Sequence, residues 1–489
     1  VTVVTPSYGH LALLPGAIHR STVRVTFRGV RRAVRILEVQ GRTTHPGVRH
    51  LVLDHEFFSP HGIGKIYCHD ADAPFATDAS KFAFFSAAAA HGAVAGAFGE
   101  LDVLHLNDWH TGYLPALCES DPGLEPLREL RTVFTIHNLA LQGQRPSDGD
   151  ESSWAAWFPG LGPPPPALRD PHQPELVNPM AAGIRLADAV HVVSPSYAEE
   201  IQRPSAVRVS GFYGGEGLEK ELRAAHAAGR VFGILNGCEY HVEAADELGW
   251  PDVVATMHAE VRRLLRVRPV VNGAHYLADE RLRAVPAVRP AWLLTTVSRV
   301  AEQKIRLLRE PGPDGRPAIH HLLDTLGDDG IYFFAGTGDP EYVDFLASVS
   351  ARRRNFVFVN GYSGALADAL FSAGDLYVMP SSYEPCGISQ MLAMRAGQPP
   401  LVHHVGGLRD TVSDGVNGFA FEGSNPRAQV RSMVARLGDA MAIRERDPAA
   451  WRQIREAALQ SRFPWDRSVD AYLHDLYAVD ADEARAGVA

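Results

Sequence analysis

Two doubly wound α/β domains facing each other are the architecture this chain predicts, and three observations carry the prediction. Short apolar runs alternate with stretches of helical periodicity, the pattern of strand–helix units in a parallel sheet. The alternation occurs in two series, separated by a charged, Arg-rich stretch from about 239 to 291 that shows no strand pattern. Most of the runs end in turns rich in Gly, Ser, Asn or His, as the ligand-facing edge of an open sheet does. The 489 residues give room for two or three domains with full cores.

In the first series, residues 1–5, 23–27, 33–37 and 51–53 read as strands, and 79–97 as a long helix. Strand 103–106, helix 112–117 and strand 132–136 follow. Four consecutive prolines at 163–166 make 160–175 a loop of polyproline character. Helix 180–186, strand 189–193, helix 197–202 and strand 232–235 complete a domain of residues 1–245. Residues 246–290 read as a helical interdomain link. Strands 293–297, 331–334, 356–359, 376–379 and 401–403 then define a second domain, 291–465.

A chain 46% apolar and 21% charged is neither disordered nor a coiled coil. A net charge of −10 argues against a nucleic-acid partner and still allows a local basic pocket. The small-apolar run 82–98 carries His91 and suits a buried helix better than a membrane span. Cys68, Cys118, Cys238 and Cys386 lie far apart with no CxxC pair, so neither a zinc ribbon nor a disulfide framework is visible. A reducing cytoplasm is the simplest setting. No signal peptide is evident.

The richest turn follows strand 376–379, where Pro380-Ser-Ser-Tyr-Glu-Pro-Cys-Gly387 leads into a helix that stops at Gly397. Free N–H groups at a helix start suit an anion. Glu384 therefore stands beside a phosphate compound yet aims at something that is not phosphate, and a neutral polyol such as a sugar fits. A glutamate that merely caps the next helix is the competing reading. In SRVAEQK, Arg299 and Lys304 follow a strand end and can converge on a diphosphate, Arg by a forked contact and Lys as a point charge. Two surface cations would give the same spacing. Gly336-Thr337-Gly338 and Val405-Gly406-Gly407-Leu408 let backbone approach a ligand, or are ordinary strand-to-helix turns.

In the first series Asp108, Trp109 and His110 stand at one strand end, His137 and Asn138 at another. His and Asn there can hydrogen-bond sugar hydroxyls or a developing charge, and Trp109 offers a flat face to a sugar ring. The alternative for His137 is a histidine tying down its own turn. Ser194-Pro195 reads as a helix N-cap.

In order and spacing, HLNDWHTGYLPAL (105–117), TIHNLALQG (135–143), GIRLADAVHVVSPSYAEEI (183–201), GILNG (233–237) and TTVSRVAEQK (295–304) resemble the bacterial glycogen synthase and plant starch synthase family. So do FFAGTGDPEY (333–342), NGYSGALADALFSAGDLYVMPSSYEPCGISQMLAMRAG (360–397) and VGGLRDTV (405–412). FPWDRSVDAYLHDLY (463–477) resembles its closing helix, so that 466–489 would return to the first domain. The resemblance implies two Rossmann-like domains of the GT-B glycosyltransferase type with the active site in the cleft between them. It implies retaining, metal-independent transfer of glucose from ADP-glucose, or UDP-glucose, to the 4-hydroxyl end of an α-1,4-glucan. No further cofactor, nucleic acid or membrane is implied.

Carried over by position, Arg299 and Lys304 would hold the diphosphate, and Glu384 would bind glucosyl hydroxyls. The backbone of Cys386, Gly387 and Ile388 would help at the sugar and phosphates, while Gly336, Thr337 and Gly338 would line the nucleotide pocket. His137 would sit near the glucose, with Asp108, Trp109 and Asn138 shaping the acceptor side.

The chain also departs from the family. The resemblance implies an opening strand and a Lys-x-Gly-Gly loop, and Val1 is expected to correspond to the strand after them, so that roughly one βα unit (~30 residues) of the family pattern would be absent from this sequence. A protein lacking that unit would be impaired in catalysis. Ala181 stands where Lys is frequent, Ile305 for Gly, Gly364 for an acidic residue and Val405 for Thr, which suggests a divergent branch. The competing functions are a retaining glucosyltransferase with a small acceptor, of the sucrose- or trehalose-synthase type, and a non-catalytic glucan-binding paralogue.

Overall fold

In the second half of the chain, six strands form one parallel sheet: β11 (Trp292–Val297), β12 (Gly330–Gly336), β13 (Phe356–Asn360), β14 (Leu376–Met379), β15 (Pro400–His403) and β16 (Phe419–Phe421). A computed structural model describes residues 1–41, 47–68, 70–240, 249–267 and 273–479. The domain boundary expected at 245 and the end of the closing segment, 480–489, lie outside the described residues. The strand order is β13-β12-β11-β14-β15-β16. The chain winds outward from β11 to β13, then returns to the other side of β11. That reversal leaves a crevice at the carboxyl ends of β11 and β14, the usual ligand site of an open α/β sheet.

Residues 246–290 are not a separate link, as far as they are described. The helices Trp250–Val267 and Gly273–Arg283 pack on one face of this sheet. Val253, Met257, Val261 and Leu264 form one apolar stripe at helical spacing, buried with Leu293, Ile331 and Val357. The charged residues that suggested a linker occupy the opposite, solvated faces.

The first domain departs from the all-parallel expectation. β1 (Thr2–Pro6), β2 (Ile18–Phe27), β3 (Val30–Val39) and β4 (Arg49–Asp54) make one sheet in the order β1-β4-β3-β2. Only β1 and β4 run parallel; β2, β3 and β4 are antiparallel. Val23, Val25 and Phe27 alternate inward with polar residues outward, the pattern of an antiparallel sheet with one wet face. Arg28 and Gly29, both at positive φ, make the tight turn that right-twisted strands require.

Of the next six strands, β5 (Val103–Asn107), β6 (Arg131–Ile136), β9 (Ala189–Val192) and β10 (Val231–Gly233) form a wholly parallel sheet in the order β10-β9-β6-β5. β7 (Arg145–Pro146) and β8 (Leu176–Val177) pair as a short antiparallel clip. The helix Ala76–Val94 joins the two larger sheets in one core through Phe82, Phe84 and Phe85. Thr2 and Val4 of β1 and Val103–Leu106 of β5 line a cavity of about 140 Å³ between them.

The chain then returns to the first domain. Leu476 and Tyr472 pack against Val133, Ala189 and Ile234 of the parallel sheet. A directed hydrogen-bond chain fastens them. Ile234 O can only accept, so His191 Nε2 carries a proton and donates at 3.0 Å. His191 Nδ1 therefore accepts from Thr135 Oγ1 at 3.0 Å, and Thr135 accepts in turn from His105 Nε2 at 2.6 Å. His105 Nδ1 is left to accept from the Tyr477 hydroxyl at 2.7 Å.

Burial lowers His105 to about 4 and His191 to about 3, so both rings are neutral at pH 7. Between these values and the ordinary 6.5 the unfolded chain binds more protons than the folded one. The stabilisation is thus complete above pH 6.5 and is lost as pH falls through 4. Urea midpoints measured from pH 7 to pH 4 should fall, and fall less steeply in His105→Gln; equal slopes would contradict the neutral chain.

Candidate active site

Because β11 and β14 are neighbours, the turns that leave them start side by side. Ser382 N donates to Gln303 O at 2.8 Å, and Gln303 Nε2 donates to Tyr383 O at 3.0 Å. This stitching brings Lys304 Nζ into an ion pair with Glu384 Oε2. Ser381 Oγ donates to the same carboxylate oxygen at 2.9 Å. The two charged side chains are only 12% and 6% exposed. Glu384 does not cap the next helix. That helix, Ser389–Arg395, has Ile388 at its N-cap and no side-chain cap. Arg299 is exposed on the same lip and has no ion pair among the described residues. Across the crevice, burial raises the Tyr67 hydroxyl, and the Arg299 charge opposes that rise.

The glycines of this edge have a more local reason than ligand approach. A Cβ at Gly336 would lie 1.9 Å from Ser298 O, and one at Gly338 2.2 Å from Val300 O. Neighbouring turns are in backbone contact there, and Thr337 between them is exposed. Gly387 has φ +78° and sets the start of the helix, where Ile388 is exposed. Cys386 is buried, and burial pushes its thiol up to about 12, with a hydrogen bond from the Asn236 backbone acting the other way. It is no thiolate nucleophile at neutral pH.

On the first domain, Asp108 takes the left-handed backbone at φ +54°. Its Oδ1 accepts from His137 N at 2.7 Å and from Asn138 N at 3.3 Å. Asp108 therefore clamps one strand-end turn to the next. Burial raises its carboxyl pKa even so, against the pull of His137 and those two N–H groups. The His137 ring is exposed to the crevice, with Nε2 3.0 Å from Asn107 Oδ1. Asn138 Oδ1 accepts from Ala140 N at 3.1 Å, and the Asn138 side chain hydrogen-bonds Tyr383 of the other domain.

Trp109 does not fit its expected role. It is 2% exposed, stacked on His110 at 4.4 Å and met edge-on by Phe75 and Phe82. A Cβ at Gly143 would fall 2.0 Å from its ring. Both faces are occupied, so the indole packs the core beneath the turn and presents no platform to a sugar.

Five residues outside the expected site set, Ser194, Ser196, Tyr213, Tyr383 and Asn236, join the two sides. Ser194 does cap its helix, accepting from Tyr197 N at 3.3 Å, but its Oγ also donates to Pro385 O at 2.5 Å across the cleft. Ser196 reaches Asp410 through N at 2.9 Å and Oγ at 2.7 Å. Tyr213 and Tyr383 face each other at 4.4 Å, and Asn236 touches Cys386. Ser194 and Asn236 carry a visible signal, since each stands just past a strand end.

Two domains whose strand ends meet across a crevice, with cations on one lip and polar neutral groups on the other, make this a glycosyltransferase of the GT-B class. Residues 1–224 match the starch synthase catalytic domain family, and residues 317–446 the glycosyl transferases group 1 family. The glycogen synthase of Anaeromyxobacter dehalogenans is 33% identical over 482 residues, covering 96% of this chain and 90% of that one. The glycogen synthase of Lactiplantibacillus plantarum is 32% identical over 412 residues, 81% and 76% of the two chains. The catalytic domain of starch synthase IV from Arabidopsis thaliana, solved with ADP and acarbose, superposes with a TM-score of 0.70 at 24% identity. It covers 94% of this chain, which covers 87% of it. The chain belongs to the glycogen synthase and starch synthase family.

Ser381 should act through Glu384. Removing a hydrogen bond to a charged group costs about 1.5–3 kcal/mol, so Ser381→Ala should lower kcat by roughly 10- to 100-fold with the fold intact. Steady-state kinetics beside a circular dichroism spectrum would check this, and unchanged kcat would contradict it.

Proposed function

We propose that the chain transfers glucosyl units from ADP-glucose, with retention, to the non-reducing 4-hydroxyl of an α-1,4-glucan. The observation that carries this reading is the buried Lys304–Glu384 ion pair at the switch point of the second sheet. In this reading the bond from the sugar's C1 to the diphosphate breaks as the bond to the acceptor oxygen forms on the same face. The acceptor hydroxyl gives up its proton to the departing nucleotide.

Negative charge grows on the diphosphate as it leaves, and Arg299 on the lip and the largely buried Lys304 offset it. Glu384 then serves as a hydroxyl ligand for the sugar and as the fixed counter-charge that orients Lys304. His137 faces the glucosyl ring, and Asp108 holds His137 in place. The backbone of Gly387 and Ile388 receives the phosphates. Gly336, Thr337 and Gly338 lie on the nucleotide side. The reading needs no metal or cofactor, because the two cations carry the leaving-group charge. The donor and the growing glucan are the partners. Four free cysteines agree with a cytoplasmic setting, and no helix among the described residues is long and apolar enough to cross a membrane.

Lys304→Ala and Glu384→Ala should each lower turnover by about 10³-fold while folding is kept. The assay is nucleotide release with glycogen as acceptor, run with ADP-glucose and again with UDP-glucose. A lengthened maltooligosaccharide supports glucan synthesis. A new disaccharide as the only product, or near-wild-type activity in either variant, would refute the assignment.

A further inference from the structure

Beyond the carboxyl ends of β14, β15 and β16 lies a second cavity, of about 480 Å³, lined from the first domain by Glu200 and by Ser210, Gly211, Phe212 and Tyr213. That volume is in the range of small-molecule sites, roughly 300–1,000 Å³. Arg299, Lys304, Glu384 and His137 do not line it. The crevice described above opens between β11 and β14, whereas this cavity sits over the other half of the sheet.

The chemistry of its wall is specific. Ser382 is 5% exposed and its backbone N–H is committed to Gln303 O, yet its Oγ has no hydrogen-bond partner. A buried hydroxyl left unpaired costs free energy that a ligand can recover. His403 donates Nδ1–H to Ser381 O at 2.9 Å and stacks on Phe421. Burial lowers that imidazole to about 4, so the ring is neutral and its Nε2 is a lone-pair acceptor. Gln429 spends its Nε2 on Ser210 O at 3.2 Å and Gly423 O at 3.3 Å, which leaves Oε1 as an acceptor.

Glu422 at the rim accepts from His404 at 2.6 Å, and Tyr213 and Tyr383 supply aromatic surface. Arg409 is the one Arg or Lys in the lining, against the carboxylates of Glu200 and Glu422. Such a wall has no excess of positive charge to hold a phosphate. It wants a ligand that donates to His403, Gln429 and Glu422, accepts from Ser382, and lays an apolar face on tyrosine.

We infer that this cavity is a second saccharide site, taking a neutral sugar unit between the two domains and separate from the transfer crevice. The inference stands on the chemistry of the wall and does not depend on which donor the crevice uses.

The test uses the full chain with maltotriose as probe and inorganic phosphate as comparator. A crystal soaked in maltotriose should show a sugar ring in contact with Ser382 and Gln429. In calorimetric titrations, Ser424→Trp, which fills the exposed mouth, should weaken one class of maltotriose sites at least 10-fold while the thermal midpoint stays in place. Should that variant not fold, Glu422→Ala is expected to weaken the same class. Identical isotherms in wild type and a folded variant, an empty cavity in the soaked crystal, or phosphate bound there in preference to maltotriose would each overturn the inference. Because binding is read directly, the result stands even if no glucan synthesis is found.

Discussion

Everything at the crevice depends on one pair of opposite charges held where water scarcely reaches. Withdrawing a carboxylate and an ammonium from water costs several kcal/mol each, and their attraction offsets this only when the geometry is good and the remaining polar atoms are satisfied. For stability alone, two apolar residues would serve as well. The Lys304–Glu384 pair therefore has to be understood by what it presents. The ammonium has three donors and gives one to Glu384; the carboxylate takes Ser381 on the same oxygen. Two ammonium donors and the second carboxylate oxygen are left without a hydrogen-bond partner among the described residues, which is the capacity the proposed reading uses.

The topology of the sheet makes that pair. Lys304 and Glu384 are 80 residues apart in the chain, but β11 and β14 are adjacent because the winding reverses between them. The first domain answers with the same device at smaller scale. β5 and β6 are adjacent and parallel, so Asp108 after one can hold His137 and Asn138 after the other. The left-handed backbone at Asp108 is the strain this arrangement requires, and an aspartate tolerates it better than most residues. Each domain thus builds its lip from two strand-end turns tied side by side.

How far the sequence showed this follows from what each signal measures. Strand runs of uniform apolarity mark doubly buried strands, so the whole second sheet except the three-residue β16 was legible, as were the turns that carry Arg299, Lys304 and Glu384. Periodicity does not report pairing partners. The antiparallel β2–β4 unit was therefore read as part of a parallel sheet, although the alternation in Val23, Val25 and Phe27 was present. Charge on a helix reports only its outer face, which is why Trp250–Val267 looked like a linker while Met257 and Val261 lay in the core. Trp109 shows the same limit at one residue: a residue after a strand end can point into the crevice or beneath it, and only the packing of Phe75, Phe82 and Gly143 decides. The competing reading of Glu384 as a cap was settled by geometry, since the helix that follows leaves its side chain free for Lys304.

The glycine pair after β15 shows why the site and the meeting of the domains are one mechanical problem. Val405 supplies no side-chain cap to the helix Gly406–Thr411, in a position where the family often has Thr. The Gly406 N–H is taken instead by Glu200 of the first domain, at 2.9 Å. Burial raises the Glu200 carboxyl, and that N–H works against the rise. One residue on, Gly407 N donates to Glu384 O at 2.9 Å. A Cβ at Gly406 would stand 2.0 Å from that same oxygen, and one at Gly407 2.3 Å from Cys386 O. The turn bearing Glu384 is thus pressed from behind by a segment whose own first N–H is satisfied only from across the cleft. Ser194 holds the neighbouring Pro385 in the same way. Were the domains to part, the carboxylate turn would lose the Ser194 hydrogen bond directly and the segment behind it would lose the Glu200 anchor, so the placement of Glu384 is complete only when both domains hold it.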